Sequence, residues 1–92
     1  MSKYQGFPYY RSALHNEKMH TIDSKTKEEK RTIKREIVDD YLNSISHWVN
    51  ELREINKLDL TECRIEYQLI ERDNEALQNF LKEWDYHIGH FD

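Results

Sequence analysis

From residue 37 onward apolar side chains recur at steps of three and four: Ile37, Val38, Tyr41, Leu42, Ile45, Trp48, Val49, Leu52 and Ile55. Residues so spaced share one face of a helix, and the pattern predicts an amphipathic α-helix. Upstream, Thr26-Lys-Glu-Glu29 has capping-box spacing. The Thr hydroxyl can accept from the Glu29 N–H while the Glu29 carboxylate accepts from the Thr26 N–H. No Gly or Pro interrupts the run, so a helix over 26–57 is expected, on the order of 45 Å long at about 1.5 Å per residue. It carries two adjacent seams, one through Val38, Leu42, Ile45, Val49 and Leu52, the other through Ile37, Tyr41, Trp48 and Ile55. One partner helix cannot cover both, which calls for a third packed element or a second copy of the chain.

The stretch 56–61 reads as a turn, with Asp59 and Thr61 as candidate N-caps of a second helix over 60–88. There Cys63, Tyr67, Ile70, Asn74, Leu77, Leu81, Trp84 and Ile88 step alternately by four and three, a heptad register with one polar member, Asn74. A buried Asn74 would fix register between helices; a small rotation would instead place it at the edge. Alternation at Cys63, Ile65, Tyr67 and Leu69 admits a strand, but the heptad phase persists through Arg72-Asp-Asn-Glu75 and favours helix. Gly89 is the expected stop. Before these elements, residues 1–25 read as an aromatic arm and a short helix, with Pro8 tolerated in a first turn and Tyr10, Ala13, Leu14 and Glu17 to Met19 filling it.

The expected fold is all-α and one domain over 1–92: an antiparallel hairpin of two long amphipathic helices plus the short N-terminal helix and arm, a small helical bundle completed by dimerisation. Composition supports this, since 35% of residues are charged and there are two Gly and one Pro. No apolar stretch is long enough for a membrane span or a signal peptide, and the lone Cys63 cannot form an internal disulfide, so a cytoplasmic location is expected. Charge is uneven. Residues 1–36 hold nine Lys or Arg against five acids, and residues 37–92 hold five against thirteen.

Candidate chemistry is sparse, and no enzyme, cofactor or metal is expected. His87 and His90 with Asp85 and Asp92, and His15 and His20 with Asp23, lack the convergent spacing of metal ligands and read as solvated groups. Cys63 falls on the apolar seam as a small hydrophobe. There is no nucleophile elbow and no Gly-rich phosphate loop. What remains is surface. Phe7, Tyr9 and Tyr10 are candidate protein anchors, and Glu62, Glu66, Glu71, Asp73 and Glu75 form a candidate acidic face able to occupy a basic, nucleic-acid-binding groove. Ile37, Tyr41, Trp48, Ile55 and Asn74 are the candidate core or oligomer seam. The expectation is a regulator or inhibitor that binds another protein, as a homodimer. The alternative is a nucleic-acid-binding regulator that uses Lys27, Lys30, Arg31, Lys34 and Arg35, although Glu28, Glu29 and Glu36 interrupt that stripe.

Overall fold

A computed structural model describes residues 10–54 and 63–89, and these are helical without any strand. In chain order they form α1 (Ala13–Met19), a 3₁₀ turn (Ile22–Ser24), α2 (Lys27–Glu54) and α3 (Arg64–His87). The two long helices pack against each other, and α1 packs on α2. Residues 63–70 belong to α3 apart from the turn residue Cys63, so the strand alternative does not hold.

The local rules act as expected at the helix ends. The Thr26 N–H donates to Glu29 Oε1 at 2.8 Å, and the Glu29 N–H donates to Thr26 Oγ1 at 3.1 Å. The Thr26 backbone N–H, followed by the Thr26 hydroxyl, favours the ionised carboxylate and holds the Glu29 pKa below its usual value. At the far end of α3, Gly89 sits at φ 104°, the left-handed region where a side chain is disfavoured, and its N–H donates to the Trp84 carbonyl at 3.0 Å. The short helix starts later than its aromatic residues suggest. Ser12 caps it, with Oγ accepting from the His15 N–H at 3.1 Å, so Tyr10 lies ahead of the first turn.

The core is formed by Ile22, Ile33, Ile37, Tyr41, Ala76, Phe80 and Trp84, with Phe80 and Trp84 in ring contact at 5.6 Å. Of the two seams on α2, the inward one contains Ile37 and Tyr41, continued by Ile33 and Leu52. On α3 the inward line is rotated from the heptad reading. Asp73, Ala76, Phe80 and Trp84 are buried, whereas Tyr67 and Asn74 are exposed. A shift of one residue turns a helix by about 100°, enough to move Asn74 out and Asp73 in.

Asp73 is tolerated inside because its oxygens are taken. Ser44 donates to Oδ2 at 2.5 Å, and Arg72 donates to Oδ1 through Nε at 3.2 Å and a terminal nitrogen at 3.0 Å. The Arg72 guanidinium in turn lies over the Tyr10 ring, 3.9 Å from its centroid. This polar chain links Tyr10 to α3 and α3 to α2. The register role anticipated for Asn74 fits Asp73 instead.

Candidate protein-binding surface

Each inward position on α2 and α3 has two flanks, and they differ in chemistry. One residue before the inward positions, α2 carries Glu36, Asp40, Asn43 and His47, and α3 carries Arg72, Glu75, Asn79 and Glu83, with Ile65 as the apolar exception. One residue after them, α2 carries Val38, Leu42, Ile45 and Val49, and α3 carries Tyr67, Ile70, Leu77 and Leu81, with Asn74 polar within that line and the charged Lys34, Arg53 and Asp85 at its ends. The pair of helices therefore has a polar flank and an apolar flank.

Contacts from α1 and the residues before it fall on the polar flank. Arg11 pairs with Glu83 at 2.5 Å, Lys18 approaches Glu36 at 3.8 Å, and Tyr10 lies against Arg72. At the centre His15 is buried, 1% exposed, with its ring 4.8 Å from Phe80. Tyr41 Oη accepts from the Ser12 N–H at 3.1 Å and lies 2.7 Å from His15 Nδ1. Burial, reinforced by the Arg11 charge, lowers the His15 pKa to about 4, so the ring is neutral at pH 7. Burial likewise pushes the Tyr41 hydroxyl up. Below this cluster an open cleft of about 690 Å³, lined by Lys18, His20, Lys25, Glu28 and Glu29 among others, holds both signs of charge.

None of those contacts falls on the apolar flank, where Val38, Leu77 and Leu81 pack on one side against the core. Val38, Ile45, Val49, Ile70, Leu77 and Leu81 are half-buried, Leu42 is 46% exposed and Tyr67 36%. Its α2 side is the seam of Val38, Leu42, Ile45 and Val49, whose fifth member, Leu52, turns inward with Ile37 and Tyr41 and is buried.

The individual candidate residues separate accordingly. Ile37 and Tyr41 are core, Trp48 is half-buried, and Asn74 leaves the seam. Asp73 leaves the acidic face for the interior, at 1% exposure, while Glu71 and Glu75 stay exposed and Glu66 is half-buried. Phe7, Tyr9, Ile55 and Glu62 lie outside the described residues, as do His90 and Asp92. Tyr10 packs against the core. Of the basic stripe, Lys27, Arg31 and Arg35 are exposed and Lys30 is half-buried, but Lys34 reaches over the Trp84 ring at 6.0 Å. Cys63 is buried, and among the described residues no group of three or more His, Cys, Asp or Glu side chains could hold a metal ion. No described helix is long and apolar enough to cross a membrane.

Sequence pattern missed His15 and Asp73 because both are polar residues in apolar surroundings. Ser12-Ala-Leu-His15 has N-cap spacing, a local signal for the helix start but none for the burial of the ring. Comparison of the chain with family models, with curated proteins and with solved structures finds no match.

Proposed function

We propose that the chain is a non-catalytic regulator or inhibitor that works in the cytoplasm by binding another protein, its long helices forming an antiparallel hairpin that dimerises. The observation that carries this reading is the apolar flank. A continuous line from Val38 to Val49 beside Tyr67, Ile70, Leu77 and Leu81 is a surface that gains by removal from water. Among the described residues no group of three or more His, Cys, Asp or Glu side chains that could hold a metal ion stands beside it. The acidic outer side of α3, with Glu71, Glu75 and Asp85 and with Tyr86 84% exposed, offers a partner a second contact of charge and aromatic area. A basic groove, including one that otherwise holds nucleic acid, is complementary to that side.

The second reading, direct nucleic-acid binding, draws on the exposure of Lys27, Arg31 and Arg35. Affinity capture of the tagged chain from native lysate, with and without nuclease, separates the two. A stoichiometric protein partner in both halves is the expected result. Capture that disappears with nuclease would replace the first reading by the second.

A further inference from the structure

We infer that the apolar flank is covered by the same flank of a second copy, turned end for end. The inference rests on the proposal that the chain acts by binding protein, and it specifies the first occupant of the open surface.

Three observations select a copy of this chain. Val38, Leu42, Ile45 and Val49 step by four, three and four, the spacing that packs against a helix of like pattern, and α2 itself supplies that pattern. The polar flank is already occupied by α1, so the helix pair is open on one side and two copies close each other. Charge sets the direction. At the start of α2 the open flank is continued by Arg31 and Lys34 with Arg35 at its rim, against Asp85 from α3. At the other end Glu51, Glu54, Glu66 and Glu71 stand against Arg53 and Arg64. A copy laid parallel brings like ends together, whereas a copy turned about a two-fold axis sets the basic end of each molecule on the acidic end of the other.

The size is adequate but small. About twenty residues of α2 give about 30 Å of length, and two helices about 10 Å apart give about 20 Å of width. That is about 600 Å² per copy and about 1,200 Å² in total, at the lower limit of stable interfaces, so a weak, reversible dimer is expected. The arrangement leaves the outer side of α3 around Glu75 and Tyr86 to a different partner.

Sedimentation equilibrium of the full chain from about 1 to 300 μM tests this. The expected result is a rise from one to two times 11.3 kDa. Leu42→Glu should raise the dissociation constant at least about tenfold, with its helical circular dichroism unchanged because Leu42 is half exposed. Arg31→Glu with Arg35→Glu, and separately Glu66→Lys with Glu71→Lys, should each weaken self-association, and a mixture of the two variants should recover it. A wild-type chain that stays monomeric at the highest concentration overturns the inference. If lysate capture still yields a partner in that case, protein binding stands and a different protein covers the flank. A dimer indifferent to Leu42→Glu, or charge variants that fail to complement on mixing, also overturns it.

Discussion

The two flanks of the α2 and α3 pair present opposite solutions to one packing problem. On the polar flank a seven-residue helix is held by specific groups: Arg11 on Glu83, Tyr41 on Ser12 and His15, and Arg72 under Tyr10. On the apolar flank there are more aliphatic side chains, yet none of the described elements covers them. Polar contacts demand particular partners at particular distances, and a short segment of the same chain can be placed to supply them. Aliphatic area is non-directional and accepts any surface of matching shape, which suits it to association. The difference assigns the internal role to the polar flank and the external role to the apolar one.

The largest expected effect comes from breaking the polar side. Asp73→Ala leaves the Ser44 hydroxyl without its acceptor and Arg72 without its carboxylate in a largely enclosed place, and should destabilise the fold by about 2–4 kcal/mol in chemical denaturation. The pH dependence of His15 comes next. Its folded pKa of about 4 lies below the ordinary value of 6.5, so the unfolded chain binds the proton first. Stability from this group is complete above pH 6.5, falls as pH drops from 6.5 to 4, and levels off below that, a loss of at most about 3 kcal/mol. His15→Leu should flatten that part of the stability curve. Tyr41→Phe should cost less, about 1–2 kcal/mol, because it deprives the Ser12 N–H and His15 Nδ1 of their partner while the ring stays packed. The smallest effect is expected on the opposite flank. Leu42→Glu should change monomer stability by no more than about 0.5 kcal/mol, since the side chain is already half in water.

Much of this contrast was legible in the sequence. The capping box at Thr26, the stop at Gly89 and the two seams of α2 follow from local chemistry and period, which act before any tertiary contact forms. The rotational phase of α3 was less accessible. Its apolar residues occupy both the inward line and the apolar flank, and the steps from Cys63 through Asn74 to Ile88 trace the boundary between the two. The inward line includes Asp73 and small Ala76, which hydrophobic periodicity passes over. Ser44 and His15 were hidden in the same way, because their hydrogen-bond partners lie 29 and 26 residues away in the chain. The open surface was anticipated as a width problem on α2, and the packing resolves which of its seams remains outside.

Leu42 and Asn43 are neighbours on α2, both exposed and one on each flank. Tagged chains bearing Leu42→Glu or Asn43→Glu, co-expressed with an untagged copy, would be captured from the same lysate and their retained proteins quantified. Asn43→Glu is expected to retain what the wild-type chain retains, the untagged copy included, whereas Leu42→Glu is expected to lose it at least about tenfold. Equal retention by the two variants would contradict the assignment of binding to the apolar flank.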